Sequence, residues 1–203
     1  MKSASDGLCR LGRCVAAILC LSSMSVVGSA WALEFSADQI VKANGKVRKT
    51  IIYYRDDRWR LEHNDQGPVN ITIVRKDKQE VWLLLSRIKH FKTEPYDPSL
   101  APKIERTMEG EIKRDVIGEE TFDGHPTTLY EVTVDRGEGP EQYYQWLATD
   151  LNFPLKLAKK DASWIIEYRH LKMRPVLDYL FERPLNFQPL ETFDGKQVGP
   201  AKE

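Results

Sequence analysis

The chain has 203 residues, and its 30 Lys and Arg are balanced by 30 Asp and Glu, for a formal net charge of +0. That balance supplies no electrostatic pull toward nucleic acid, so no nucleic-acid partner is expected. Cys9, Cys14 and Cys20 all precede residue 33, so a chain cut after that segment has no disulfide, thiolate metal site or cysteine nucleophile.

Residues 1–32 read as an export signal. Lys2, Arg10 and Arg13 form a basic start, "VAAILCLSSMSVVG" (15–28) is a short apolar stretch, and Ala30-Trp31-Ala32 offers small residues around a cleavage point after Ala32. A retained membrane anchor fits less well, because the apolar run is short and interrupted by Ser and Gly. A lipid anchor at Cys20 would have bulky Ile18 and Leu19 before it. Setting aside Lys2, Arg10, Arg13 and Asp6 leaves 27 basic and 29 acidic residues, a formal charge of −2. The remaining 171 residues suit one domain with a sizeable core.

"EFSADQIVKANG" (34–45) carries a helix-start pattern: Ser36 as cap, Gln39 reaching back to it, Phe35 stapled on Ile40, and Gly45 as the stop. A short helix is expected there. Beyond Gly45 the pattern becomes a series of short strands at 46–54, 58–63, 69–75, 80–86, 89–94, 112–120, 127–135, 142–149, 153–160 and 163–172. They are separated by turn-forming pieces such as Asp56-Asp57, Asn64 to Pro68 and Gly124-His125-Pro126. About ten such strands in one domain make a strongly curved antiparallel sheet or a barrel.

Two stretches interrupt the series. "PYDPSLAPKIERTMEG" (95–110) places Leu100, Ile104 and Met108 four residues apart, and "PVLDYLFERPLNFQPL" (175–190) offers Leu177, Leu180 and Phe181. Each predicts a short amphipathic helix. Residues 191–203, rich in Gly, Pro and charge, read as a flexible tail. The expected class is therefore mainly β with short helices, in one domain over 33–190.

Alternation assigns the faces. Trp164, Ile166 and Tyr168 oppose Glu167 and Arg169, and Trp59 and Leu61 oppose Arg58, Arg60 and Glu62. In "EVWLLLS" both faces are apolar, so that strand must be covered twice. Helices packed tightly into the concave face would make a plain core. Packed loosely, they would leave a slot for a greasy ligand.

The runs "FSADQIV", "DRWRLEH", "ITIVRKDKQEVWLL", "GEETFDGHPTTLYEV", "QWLATDLNFPLKL" and "LFERP" stand in an order and spacing that covers nearly all of 34–190. In these the chain resembles the exported family of outer-membrane lipoprotein-sorting proteins, whose fold is shared with the lipoprotein carriers LolA and LolB. The resemblance implies an unclosed antiparallel half-barrel around an apolar cavity, with short helices and loops as lid or plug. It implies a periplasmic, non-catalytic, monomeric carrier of lipid or lipoprotein acyl chains, with envelope membrane components as further partners and no cofactor. Trp59, Leu61, Ile71, Ile73, Leu83, Tyr130, Trp146, Trp164, Ile166 and Tyr168 are then expected to line the cavity, under a lid of Leu100, Ile104, Met108, Leu177, Leu180 and Phe181. An arginine near the end of an early strand closes the lid in the carriers, which makes Arg55 or Arg60 the latch candidate. An envelope interaction or sensor module with the same fold and a filled cavity is the alternative.

Other chemistry finds little support. His63, His90, His125 and His170 are scattered without zinc-like spacing, and none of the serines after residue 33 sits in a G-x-S-x-G elbow. No catalytic residue and no metal ligand is expected.

Overall fold

The computed structural model describes residues 33–65 and 67–190; the expected export signal and the flexible tail lie outside them. Twelve strands form a single sheet: β1 (Glu34–Ala43), β2 (Lys46–Arg55), β3 (Arg58–His63), β4 (Ile71–Arg75), β5 (Glu80–Leu85), β6 (His90–Pro95), β7 (Glu111–Phe122), β8 (His125–Asp135), β9 (Pro140–Ala148), β10 (Phe153–Lys159), β11 (Trp164–Met173) and β12 (Gln188–Pro189). Their order is β12-β6-β5-β4-β3-β2-β1-β11-β10-β9-β8-β7, so the sheet stays open between β12 and β7. It is an unclosed half-barrel. Every neighbouring pair is antiparallel except β12 with β6.

The helix expected at 34–45 is absent; this segment is β1, hydrogen-bonded to β2 on one side and β11 on the other. It is the strand that joins the two halves of the sheet. Phe35, Ala37 and Gln39 are buried at a period of two, and pairing on both sides outweighs a capping pattern that is only local. The decisive signal is Asn44-Gly45, which has φ of 52 and 70 and links β1 to β2 as a two-residue hairpin.

The two expected short helices are likewise corrected. Among the described residues no α-helix occurs, and the helical pieces are single 3-10 turns at Lys76–Lys78, Pro98–Leu100 and Asp178–Phe181. Three prolines in 95–102 remove amide donors and hold the first segment extended. The second is likewise an extended strap, ending as β12, whose Gln188 and Leu190 amides donate to Lys89 and Phe91 carbonyls at 2.9 and 2.7 Å.

Both faces of the β3–β6 region are covered, as the doubly apolar β5 requires. On the inner face Trp59, Val74 and Val81 pack with Leu83 and Tyr96; on the outer face Ile73, Trp82, Leu84 and Phe91 pack with Ile71 and Phe187. The outer cover is the strap 174–190. Arg55 Nη2 donates to the Val176 carbonyl at 2.6 Å, Arg60 Nη1 to that of Leu180 at 3.3 Å, and Arg75 Nη1 to that of Phe181 at 3.2 Å.

Further along the outer face, Glu167 is 3% exposed and carries Lys42, Lys156 and Arg169 within 3.4, 3.9 and 2.7 Å. Burial pushes its carboxyl up, but Arg169, Lys42 and Lys156 together outweigh that and hold it below the ordinary 4.5. The unfolded chain therefore takes up the proton first as pH falls, so the stability this group contributes is complete above about pH 5 and is lost below it. Glu167→Gln is expected to cost about 2 kcal/mol near neutral pH, its partners being partly solvated, and to flatten the acid limb of a stability-versus-pH curve. Urea titrations between pH 3 and 7 measure both; an unchanged acid limb would remove Glu167 from this role.

Candidate binding site in the concave face

The inner face is closed at one end by aromatic rings. Phe35 at the start of β1 stacks on Tyr54 at 5.0 Å and meets Phe153 edge-on at 5.0 Å. Tyr168 meets Phe153 at 5.6 Å, Tyr54 faces Trp59 at 6.2 Å, and Trp59 meets Tyr96 at 6.1 Å. Large rings from β10, β11, β1, β2 and β3 thus converge there, and Phe35 and Tyr168 are wholly buried. Beside them a polar string crosses the same face: Thr50 Oγ1 donates to Gln39 Oε1 at 3.2 Å, and Gln39 Nε2 donates to the Tyr168 hydroxyl at 3.4 Å. Burial pushes the Tyr168 hydroxyl far above its ordinary range, so it stays neutral.

Segment 96–110 crosses this face as a strap. Asp97 accepts from the Ser99 amide at 2.8 Å, which fixes the 98–100 turn. Further on, Gln145 Nε2 donates to the Glu105 carbonyl at 3.0 Å and Arg114 Nη2 to that of Arg106 at 2.8 Å, while Glu111 accepts from the Met108 amide at 3.0 Å. The far end is therefore tied to β7 and β9, and Ile104 and Met108 rest on the inner core. Leu100 is 41% exposed; the near end roofs a space instead of filling it.

That space is about 220 Å³, bounded below by Val41, Ile52, Trp59, Leu61 and Ile166 and above by Leu100 and Pro102. A groove of about 830 Å³ continues past Val41 and Leu61 to the β1–β2 hairpin. Another of about 600 Å³ lies beyond Lys103 and Trp164, between Met108 and Leu157. Small-molecule sites typically occupy ~300–1,000 Å³, so the grooves have the size and the space under the strap is a narrow junction that shares walls with both. The Trp59 indole N–H is buried with no partner.

Of the expected lining residues, Trp59, Leu61, Leu83, Tyr130, Trp164, Ile166 and Tyr168 stand on the inner face. Ile71 and Ile73 do not: they lie in the outer cluster, because Thr72 and Val74 take the inward phase of a strand that is apolar on both sides. Trp146 is also on the outer face, where Lys156 sits 4.3 Å from its ring. Gln145 takes the inward position beside it, 1% exposed and bonded by Arg114 at 2.8 Å. An inward glutamine satisfied by an arginine leaves no hydrophobic signal, and sequence reasoning missed both, along with Gln39 and Thr50.

The expected lid divides in two. Leu100, Ile104 and Met108 are in the inner strap. Leu177, Leu180 and Phe181 are in the outer strap instead; the Leu180 and Phe181 carbonyls accept from Arg60 and Arg75, which neighbour the inward Trp59, Leu61 and Val74 on their strands, and Leu177 is 61% exposed. Both latch candidates hold that outer strap. Arg55 pairs with Asp178 and with Glu34, whose Oε1 is 3.1 Å from Nε without hydrogen-bond alignment and whose Oε2 accepts from Nη2 at 3.2 Å. Arg60 pairs with Glu62 at 2.7 Å. Neither touches the strap over the cavity. Among the described residues no group of three His, Cys, Asp or Glu is placed to hold a metal ion.

No family model and no curated protein matches the sequence. Solved structures do. An uncharacterized conserved protein from Thermus thermophilus aligns over 79% of this chain and 91% of its own, with a TM-score of 0.53 and 12% identity. MucB aligns over 76% of this chain and 58% of its own at 0.53 and 17% identity. The chain shares their fold. MucB in complex with MucA(peri) aligns over 76% and 55%, at 0.50 and 17% identity. The chain thus spans less than two thirds of MucB. The half-barrel implied by the resemblance to lipoprotein carriers is the fold observed, and the likeness at these identities is one of fold.

Proposed function

We propose that this protein is an exported, periplasmic, non-catalytic carrier or binding protein that holds an acyl chain of a lipid or lipoprotein in the concave face of its half-barrel, as a monomer, after cleavage behind Ala32. The observation that carries this reading is the apolar space left beneath residues 99–103 of a strap that is held at Tyr96 by the Gln79 carbonyl and the Trp59 ring and at its far end by Gln145 and Arg114. Each methylene moved from water into such a space contributes about 0.8 kcal/mol. A chain of a dozen carbons therefore binds well even though only part of it reaches the narrow junction. Loading requires residues 99–103 of the strap to lift, and the Gln145 and Arg114 bonds keep the Met108 end in place.

The test is uptake of a fluorescent fatty acid by the purified protein. Leu100→Ser, Ile104→Ser and Met108→Ser combined are expected to weaken it by about tenfold or more, because the roof loses its apolar side chains; unchanged uptake would remove the strap from the mechanism.

A second reading, an envelope interaction or sensor module, is favoured by the protein partner that the fold neighbour MucB has in its complex with MucA(peri). Organic extraction and mass spectrometry of the purified protein separate the two. Co-purified lipid supports the carrier, whereas an interior that is empty and refuses the fluorescent chain supports the module.

A further inference from the structure

The inner face of the β1–β2 ladder changes character along its length. Its paired positions run Phe35/Tyr54, Ala37/Ile52, Gln39/Thr50, Val41/Arg48 and Ala43/Lys46. Aromatic at the closed end, polar in the middle, it becomes cationic at the mouth. The 830 Å³ groove over that mouth is lined by Lys46, Arg48, Lys49 and His63, with Asp65 as its one carboxylate. His63 donates to or accepts from Thr72 Oγ1 at 2.9 Å, and burial lowers its pKa, so it adds no lasting positive charge near neutral pH.

The other feature of this mouth is that its cations are unpaired. Most other basic side chains of the strands, Lys172 excepted, close on carboxylates, among them Arg55 on Glu34, Arg75 on Asp77, Arg114 on Glu111 and Lys159 on Glu141. Among the described residues Lys46, Arg48 and Lys49 form no such pair, and they stand where an open groove leads under the strap. A cationic rim over an apolar floor matches one chemistry, an apolar chain ending in an anion.

Resting on the acyl-chain reading above, we propose that the guest is an anionic amphiphile whose phosphate or carboxylate is held at the mouth by Arg48 and Lys46, with its chain running over Val41 and Leu61 toward Trp59. Arg48 provides the planar, two-pronged donor that suits these anions, and Lys46 a second charge one inward position along the strand. Gln39 and Thr50 lie one inward ladder position deeper than Val41 and Arg48, at the depth where an ester group would follow a headgroup.

The test compares dodecyl phosphate, dodecanol, dodecyltrimethylammonium and inorganic phosphate by displacement of a bound fluorescent fatty alcohol and by calorimetry. Dodecyl phosphate is expected to bind roughly tenfold more tightly than dodecanol at low ionic strength, with the gap narrowing as salt is added. The Lys46→Gln/Arg48→Gln variant is expected to erase that gap. Lys46→Glu/Arg48→Glu is expected to turn the preference toward the ammonium amphiphile, a gain that misfolding cannot produce. Inorganic phosphate alone is expected to bind too weakly to measure; if it binds as tightly as the amphiphile, the rim is a free-anion site and the proposal falls. Equal binding of phosphate and alcohol, or a preference that survives both variants, also overturns the anionic headgroup and leaves the acyl-chain reading standing. If no twelve-carbon ligand binds, both fall.

Discussion

Arg75→Met is expected to destabilise the protein by about 3 kcal/mol and to release the outer strap. Arg75 is 4% exposed on β4 and makes four contacts at once: two bonds to Asp77 at 2.8 and 2.6 Å, one to Glu182 at 2.5 Å, and one to the Phe181 carbonyl at 3.2 Å. Its guanidinium also lies 5.5 Å from the Trp82 ring. Removing one partner of a buried charge network typically costs ~3–5 kcal/mol, because the groups left behind stay desolvated. Glu182 is half-exposed and recovers some hydration, which favours the low end. Hydrogen exchange should show faster exchange at the Gln188 and Leu190 amides, which bond to β6, with β8 to β11 unchanged. Slow exchange at 188 and 190 in the variant would mean that Phe187 and Arg183 hold the strap by themselves.

Phe35→Ala should cost more, about 4 kcal/mol, within the ~3–5 kcal/mol found for truncating a buried phenylalanine. Phe35 is wholly buried and touches Tyr54, Phe153 and Tyr168. These rings come from β2, β10 and β11, on both sides of β1, so the residue fastens the two halves of the sheet to each other. Thermal and urea unfolding measure the loss; a cost under about 1 kcal/mol would show that the site collapses onto Tyr54 and Phe153 without it. The same variant is expected to lengthen the cavity toward the closed end, so a longer chain should gain affinity relative to a shorter one.

Much of this fold can be read from the sequence wherever one face of a strand is wet. Trp59 and Leu61 against Arg58 and Arg60, and Trp164, Ile166 and Tyr168 against Glu167 and Arg169, give the inward phase directly, and those residues do line the inner face. Where both faces are buried the phase is lost. Ile71 and Ile73 look no different from Val74 in sequence, and what decides between them is which strap covers which side. The same limit explains the two straps: Leu177, Leu180 and Phe181 have the apolar spacing of a lid, but the arginines that capture their segment lie across the sheet from the cavity. At 34–45 a cap-and-staple pattern and an Asn-Gly hairpin signal compete, and the hairpin prevails because β2 and β11 supply partners for a strand on both edges.

The polar elements of the site are the least legible. Gln39, Thr50 and Gln145 sit inside an apolar face because each finds a specific partner, and such pairs join residues as far apart as Gln39 and Tyr168. Their positions follow from register, which hydropathy does not encode.

The central claim is that a hydrocarbon chain enters the concave face beneath the 96–110 strap. A fatty acid brominated along its chain quenches tryptophans it touches, and the tryptophans are divided between the faces: Trp59 and Trp164 border the cavity, whereas Trp82 and Trp146 lie on the outer side. Quenching that persists in Trp82→Phe/Trp146→Phe and disappears in Trp59→Phe/Trp164→Phe is the predicted result. Quenching that instead follows Trp82 and Trp146 would place the chain on the outer face and contradict the account.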